Sequence, residues 1–426
     1  MEIRNAEILC VGTEILIGDI VNTNAAFISQ RLAQLGINQY YQAVVGDNPG
    51  RLKDAVRAAL ERTDLLIMSG GLGPTYDDLT KEVTAECMGR KLILDQRSLD
   101  RIKENFAFKC RAMTKNNEKQ AYIPEGSTIF DNNAGTAPGC AIEDFERGKI
   151  IIMLPGPPFE LKRMFDESVM PYLKRFTDKR FYSVNVNIFG MGESAVENEL
   201  RELMQSSVNP TVAPYCGDGE VRLRVTASGT DDEQCLLMCN KTVEMIKNSS
   251  VGSYIYGTDT TLAQAVVNAY LEAGKTLAAA ESCTGGLIAK RITDIPGSSE
   301  MFGYGAVTYA NEAKISLLGV KPETLAEYGA VSEQTALEMA AGIRKLSGAD
   351  VGISVTGIAG PGGGSAEKPV GLVYLGISSE KQTRASRLLL SGDRDRVRIL
   401  ASANALSEAL KELKELQNTK TDKLSN

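Results

Sequence analysis

In the first 68 residues, short apolar runs ending in small residues alternate with helical patterns, and this restricts the N-terminal part to a layered α/β sheet. Glu7 to Val11 reads as a buried strand that stops at Gly12. Asn24 to Leu35 carries Phe27, Ile28, Leu32 and Leu35 at helical spacing and stops at Gly36. Tyr40 to Val45 is a second predicted strand and Arg51 to Arg62 a second helix. Asp64 to Met68 is a third strand, entering Ser69-Gly70-Gly71-Leu72-Gly73-Pro74-Thr75. A βαβαβ order predicts a parallel sheet with helices on both faces. Ligands of such sheets bind beyond the carboxyl ends of the strands, where Gly12, Gly46 and Ser69 lie. Further on, a second glycine-rich loop (132–139) precedes a strand from Ile150 to Leu154, and a helix from Glu160 to about Lys174 is expected to close the domain.

The rest divides into two further units. Ser183 to Phe189 and Glu220 to Ala227 alternate as strands, with helical patterns at Ser194 to Met204 and Asp231 to Lys247. A third unit opens near Thr258, with a helix to Glu272 and strands at Thr276 to Ala280, Tyr304 to Tyr309, Val351 to Val355, Val370 to Ser378 and Ala385 to Leu390. A long helix from Asp393 to about Leu416 ends it. The expected division is 1–175, 180–255 and 258–416, with a polar, frayed tail over 417–426.

At 426 residues there is length for several cores, and a net charge of −7 leaves no general footprint for nucleic acid. The eight cysteines form no C-x-x-C pair, which fits reduced thiols in a cytoplasm. No signal peptide is predicted at Met1 to Asn5, and no run approaches the ~18 apolar residues of a membrane span.

The chain contains no histidine. A Ser-His-Asp triad is therefore excluded, and any metal is expected on oxygen ligands. Ala280-Glu281-Ser282-Cys283-Thr284-Gly285-Gly286 displays a serine before a glycine turn. The serine chemistry that remains uses a desolvated lysine as base, and Lys314 in Thr308-Tyr309-Ala310-Asn311-Glu312-Ala313-Lys314 is the candidate. Taken singly, Ser282 also fits an N-cap of a helix from Gly285 to Arg291, and Lys314 a solvated helix face. Cys283 is a rival nucleophile. The loop Thr356-Gly357-Ile358-Ala359-Gly360-Pro361-Gly362-Gly363-Gly364 offers N–H donors to an oxyanion or a phosphate, and Arg394, Arg396 and Arg398 offer a clamp.

In the N-terminal part, Gly70 to Thr75 can present backbone N–H groups to a phosphate. Asp77-Asp78 follows at once, and carboxylates beside a phosphate cradle point to a bridging divalent cation. Glu14, Asp19, Asp47 and Glu160 lie near other strand or loop ends and offer further oxygens. The plain alternative is that Asp77-Asp78 caps a helix from Leu79 to Met88.

Taken together, these motifs resemble the competence/damage-inducible protein A (CinA) family over essentially the whole chain. Gly12-Thr13-Glu14, Asn22-Thr23-Asn24, Gly70 to Asp78, Gly135 to Gly139 and Pro155 to Glu160 are similar to its molybdopterin-binding-like N-terminal domain. Ala280 to Gly286, Tyr309 to Lys314, Gly329-Ala330-Val331-Ser332 and Val355 to Pro361 are similar to its C-terminal domain. The resemblance implies an α/β fold in three parts: a three-layer α/β/α domain, a small α+β KH-like domain and a C-terminal α/β deamidase domain. No G-x-x-G flanked by basic residues occurs in the middle part, so direct nucleic-acid binding is not expected.

The resemblance also implies two activities. One is deamidation of nicotinamide mononucleotide, without a cofactor, by Ser282, Tyr309 and Lys314. Thr284, Gly285, Thr356, Gly357 and Arg396 would sit on the substrate or its phosphate. The other is hydrolysis of ADP-ribose to AMP and ribose 5-phosphate at Asp78. There Gly70, Gly71, Gly73, Thr75, Glu14 and Asp47 would sit on the substrate, and Asp77 and Asp78 on a divalent metal ion (Mg, Mn or Co). A monovalent cation is a further candidate. A cytoplasmic homodimer is implied. The sequence departs from the family at Ala310, where serine is frequent. Other readings stay open: Ser282 and Lys314 activating a water without an acyl-enzyme, an N-terminal domain that only binds a nucleotide or pterin, and a scaffold in DNA uptake.

Overall fold

The structure, a computed structural model, describes residues 2–177, 180–217 and 219–424. Packing divides the chain into two compact units, residues 1–183 with 227–238 and residues 184–226 with 239–426.

In the N-terminal unit, six strands lie in the order Asn38–Val45, Asn5–Val11, Leu65–Ser69, Lys149–Leu154, Gly139–Asp144, Thr128–Phe130. The first four run parallel. Gly139–Asp144 and Thr128–Phe130 add antiparallel partners that the loop-like sequence around them conceals, so the sheet is mixed. Side chains alternate between its faces. Ile8, Ile67 and Ile152 pack on one side with Ile28 and Leu32 of the helix Thr23–Gln34. Leu9, Leu66, Met68 and Ile151 pack on the other with Leu52 and Val56 of the helix Pro49–Arg62. Both helices start at asparagine caps: Asn22 accepts from the Ala25 N–H (3.1 Å) and Asn48 from the Arg51 N–H (3.0 Å).

The single helix expected from Glu160 to Lys174 is instead broken. An α-helical turn, Pro158–Met164, widens into a π-helical turn, Phe165–Val169, before Met170–Leu173. Pro171 explains the break, because it lacks an N–H for the i→i−4 ladder and its ring needs room there.

A small sheet follows in the order Thr211–Cys216, Glu220–Gly229, Arg180–Phe189, Ile255–Thr258. Its two long strands alternate buried and part-exposed residues, the mark of a sheet with one packed face. The outer strands are not foreseen from sequence.

The C-terminal sheet runs Tyr304–Val307, Leu277–Glu281, Val351–Gly357, Leu372–Ser378, Thr383–Leu389. The first three are parallel and the last two antiparallel. Glu281 pairs in register with Val307 on one side and Val355 on the other, so the three parallel strands end on one rim. The helices Leu262–Ala273 and Arg394–Leu424 cover one face through Val266, Tyr270, Val397 and Ala401. The helix Glu333–Ser347 covers the other through Met339 and Ile343. The last helix continues past Leu416, where fraying is expected from Gln417, as far as Leu424. No helix among the described residues is long and apolar enough to cross a membrane. No disulfide joins the described cysteines, and five of them are buried.

Candidate active sites

The carboxyl ends of the parallel N-terminal strands open into a cleft of about 600 Å³. Gly70 (φ +104°) and Gly71 (φ +67°) form its floor. A side chain on Gly70 would meet the Val11 carbonyl, and one on Gly71 the Thr80 hydroxyl, so only glycine fits here. Five carboxylates line the cleft: Glu14, Asp47, Asp77, Asp78 and Glu160. Asp47 accepts from the N–H (2.9 Å) and the hydroxyl (2.8 Å) of Thr13. Asp78 accepts from the Thr75 N–H (2.9 Å) and the Thr75 hydroxyl. The Thr75 hydroxyl also holds the Asp77 carboxyl below its usual range. Lys119 ties the turn from behind, donating to the carbonyls of Thr75 (3.1 Å) and Asp78. The helix that follows is Thr80–Cys87, its N-cap is Leu79, and no side chain caps it. The aspartates therefore face the cleft rather than cap.

No Lys or Arg is among the cleft's described lining residues, an unusual balance for the phosphate cradle expected there. Also, two buried amide oxygens on its walls, Asn24 Oδ1 and Gln120 Oε1, have no hydrogen-bond partner. Asn24 falls in the Asn22-Thr23-Asn24 motif of the sequence, whereas Gln120 is not singled out there. Asn24 is fixed in orientation because its Nδ2 donates to the Gly156 carbonyl (2.7 Å) and to Ser69 Oγ (2.9 Å).

The C-terminal rim carries the second site, a pocket of about 270 Å³. Ser282 follows the strand Leu277–Glu281, and its N–H donates to the Val355 carbonyl (2.9 Å) of the neighbouring strand. Glu281 fixes the turn. Its buried carboxylate accepts the N–H groups of Gly286 (3.0 Å), Ile288 (3.1 Å) and Ala289 (2.9 Å) at the start of the helix Leu287–Thr293. Ser282 therefore does not cap that helix; Glu281 takes its free donors. The backbone N–H groups of Cys283 and Thr284 have no backbone acceptor among the described residues.

Lys314 is 1% exposed, on the helix Asn311–Leu318. Its Nζ lies 3.2 Å from Ser282 Oγ, 2.8 Å from the Thr308 carbonyl and 3.2 Å from the Tyr309 carbonyl. Burial lowers its pKa from the ordinary 10.5, against weaker pulls from Cys283 and Glu312. Burial pushes the Cys283 thiol up to about 11, which disfavours the nucleophilic thiolate at neutral pH. Thr356 lines the pocket, with its hydroxyl donating to the Ala330 carbonyl (2.7 Å), and Gly357 lines it beside Thr356.

Of the residues expected at the N-terminal site, Glu14, Asp47, Gly70, Gly71, Gly73, Thr75, Asp77, Asp78 and Glu160 line the one cleft, while Asp19 does not. Of those expected at the C-terminal site, Ser282, Tyr309, Lys314, Thr356 and Gly357 line the pocket, while Thr284, Gly285 and Arg396 do not. Thr284 is fully buried. The stem of Arg396 lies against Gly392. It is Arg394 that reaches in, donating to the Gly360 carbonyl (2.7 Å) and to the Tyr309 hydroxyl (3.1 Å). Three arginines at alternate positions of one helical turn give no sequence signal for which faces the pocket.

Comparison with known proteins matches three family models in the same order. These are "Probable molybdopterin binding domain" over residues 7–175, "Damage-inducible protein CinA KH domain" over 183–257 and "CinA C-terminal domain" over 259–413. A "CinA-like protein" of Kosmotoga olearia is 50% identical over 402 residues, covering 94% of this chain and 97% of that protein. One of Dictyoglomus turgidum is 50% identical over 401 residues, with the same two coverages. Among solved structures, a competence/damage-inducible protein from Agrobacterium tumefaciens is 46% identical, covering 36% of this chain and 93% of that one, with a TM-score of 0.35. With half of its residues identical to these relatives along nearly its full length, the chain belongs to the CinA family.

Proposed function

We propose that the C-terminal domain hydrolyses the carboxamide of nicotinamide mononucleotide to nicotinate mononucleotide and ammonia. The surroundings of Lys314 Nζ carry this reading. Two of its three polar neighbours are carbonyl oxygens, which only accept. A neutral amine has two N–H bonds and one lone pair. Its N–H bonds serve the carbonyls of Thr308 and Tyr309, and the lone pair is left for the Ser282 hydroxyl. Ser282 Oγ then attacks the carboxamide carbon as its proton passes to Lys314. Collapse of the tetrahedral adduct breaks the C–N bond, and the Lys314 ammonium returns the proton to the departing nitrogen as ammonia. Water, deprotonated by Lys314, attacks the acyl-serine and releases the carboxylate and the Ser282 hydroxyl. The N–H of Cys283, which lines the pocket and has no backbone acceptor, is suited to the oxyanion. Arg394 and the 360–363 turn are suited to the phosphate.

For the N-terminal cleft the reading is metal-dependent cleavage of the pyrophosphate bond of ADP-ribose, giving AMP and ribose 5-phosphate. Five carboxylates without a lining base repel phosphate unless a cation lies between them, and an all-oxygen donor set suits Mg²⁺ or a similar hard ion. No three acidic side chains among the described residues form a ready-made cage, which fits an ion held by one or two carboxylates with water and substrate phosphates. Asp77 and Asp78 would hold it, and bound there it neutralises phosphate charge and acidifies a water. Glu14, Asp47 and Glu160 are left to orient that water and the sugar hydroxyls. As the family resemblance implies, the setting is a cytoplasmic homodimer recycling pyridine nucleotides.

The deciding experiment is ammonia release from nicotinamide mononucleotide. Wild type is expected to release it and Ser282→Ala to lose it. Full activity in Ser282→Ala would remove the serine from the mechanism. Release of AMP from ADP-ribose tests the N-terminal reading separately.

A further inference from the structure

The turn after Ser282 holds a chain of hydrogen bonds with a charge at one end and the Cys283 N–H at the other. The Cys283 N–H belongs to the peptide unit whose carbonyl is that of Ser282. This carbonyl accepts the Gly285 N–H (3.1 Å). The Gly285 N–H belongs in turn to the peptide unit whose carbonyl is that of Thr284. The Thr284 carbonyl accepts from Arg398 Nη2 (3.0 Å) and, more loosely, from the Leu287 N–H (3.3 Å). Two peptide units, each accepting at one end and donating at the other, therefore connect the Arg398 guanidinium to the Cys283 N–H.

Such units polarise one another. A donor on the carbonyl draws electron density from the amide and makes its N–H a stronger donor. The first donor here is ionised, and a charged donor acts roughly twice as strongly as a neutral one. Thr284 is fully buried, so solvent does not take its place on that carbonyl.

Arg398 does this without entering the substrate space. Arg394 lines the pocket and Arg398 does not. One turn further along the same face of the helix Arg394–Leu424, Arg398 meets the serine turn instead. Its other partner among the described residues is the exposed Asp395 (3.4 Å), a surface pair of little worth. Its charge is also felt at Cys283: burial raises that thiol's pKa, and Arg394 and Arg398 are among the weaker influences that lower it.

We propose that Arg398 is a positioning residue of the amide hydrolysis: acting through the 284–285 and 282–283 peptide units, its charge fixes and strengthens the Cys283 N–H as the oxyanion donor. This rests on the reading of Ser282 as the nucleophile. The interaction matters to the tetrahedral adduct and not to the bound amide, so its loss falls on kcat and spares KM.

The test uses the full chain and two readouts. One is the kinetics of ammonia release from nicotinamide mononucleotide. The other is the Ki of its analogue with an aldehyde in place of the carboxamide. Addition of Ser282 Oγ to the aldehyde carbon, with the serine proton passing to Lys314, gives a tetrahedral oxyanion that has no amine to expel. Arg398→Gln keeps an N–H for the Thr284 carbonyl and removes the charge. Its kcat is expected to fall and its aldehyde Ki to rise roughly ten-fold, short of the ~10²–10³-fold of losing an oxyanion donor outright. Its KM and its Kd for nicotinate mononucleotide should stay within about two-fold. Arg398→Lys keeps the charge and should recover most of both losses. Arg398 is part-exposed, so both variants are expected to fold. The pH midpoint of kcat/KM should not move, since Arg398 is not among the groups that shift Lys314. Wild-type kcat and Ki in Arg398→Gln overturn the proposal. So does a loss in Arg398→Lys equal to that in Arg398→Gln, or a rise in KM alone. Wild type that releases no ammonia yet binds the aldehyde, with the loss in Arg398→Gln, supports the role of Arg398 and overturns the amidase reading. Wild type that does neither overturns both.

Discussion

Lys314 Nζ stands 3.2 Å from Ser282 Oγ at the end of a buried side chain whose other two polar contacts are backbone carbonyls. A permanently charged side chain cannot take a proton from Ser282. Arginine stays protonated above pH ~12, so Lys314→Arg is expected to lose ammonia release as fully as Lys314→Met, on the order of 10²–10⁴-fold. If the free amine is the base, kcat/KM of wild type should rise with pH through the lowered Lys314 pKa. Stability follows the same sign. Between the native pKa of Lys314 and 10.5 the unfolded chain holds a proton that the folded chain has given up, so folding free energy grows with pH across that window. Urea unfolding of wild type and Lys314→Met over that range checks it; parallel curves would mean that the burial does not act on the amine.

Ala310 is the N-cap of the helix that carries Lys314, with extended φ and ψ (−79°, 156°) and no side-chain cap bond. This is the position at which the family resemblance leads one to expect serine. Ala310→Ser should supply the missing acceptor to a free N–H of the first turn and stabilise the domain by about 1 kcal/mol. Ammonia release should be unaffected, since the substitution adds no group to the pocket lining. A thermal melt reads the gain, and an unchanged or lower midpoint would show that the cap is already met by other means.

The two activities should separate cleanly under metal removal. A chelator is expected to abolish AMP release from ADP-ribose and to leave ammonia release intact, because the Ser282–Lys314 pair needs no ion. Asp78→Asn keeps an oxygen for the Thr75 N–H while removing the charge, so it should fold normally and lose AMP release on the order of 10²-fold. AMP release by Asp78→Asn at the wild-type rate would take Asp78 out of the cation site.

Much of this arrangement is legible in the sequence because it follows from periodicity and from exclusion. Most of the parallel strands announce themselves as buried apolar runs, and the absence of histidine points to lysine as the candidate base. What escapes is what depends on tertiary phase. Gly139–Asp144 pairs antiparallel with Lys149–Leu154 across a tight turn, yet its residues read as the tail of a glycine loop. Glu281 looks like a polar strand end, although it anchors three N–H groups beyond the serine. The cap reading of Asp77-Asp78 stays open until the helix is seen to begin at Thr80 with no side-chain cap. Gln120 carries no signal, and the motif that contains Asn24 does not announce its unmet amide oxygen, which is a property of packing alone.

Arg394 and Arg396 show the same dependence on phase, and their contrast can be measured. Two of the five N–H donors of Arg394 are used, one on the Gly360 carbonyl and one on the Tyr309 hydroxyl. Among the described residues the other three have no partner, and the bond to Gly360 would tie a phosphate held there to the glycine turn of the pocket. If Arg394 binds phosphate, Arg394→Ala should raise KM for nicotinamide mononucleotide about ten-fold or more, the loss of one charge-assisted contact worth about 1.4 kcal/mol. It should alter the constants for nicotinamide riboside, which lacks the phosphate, much less. Arg396→Ala should change both substrates by about two-fold at most, because its stem rests on Gly392 outside the pocket lining. An equal penalty on both substrates in Arg394→Ala would mean that Arg394 acts by holding Tyr309 and the turn in place. A larger penalty at Arg396 would put the phosphate on the far side of the helix start.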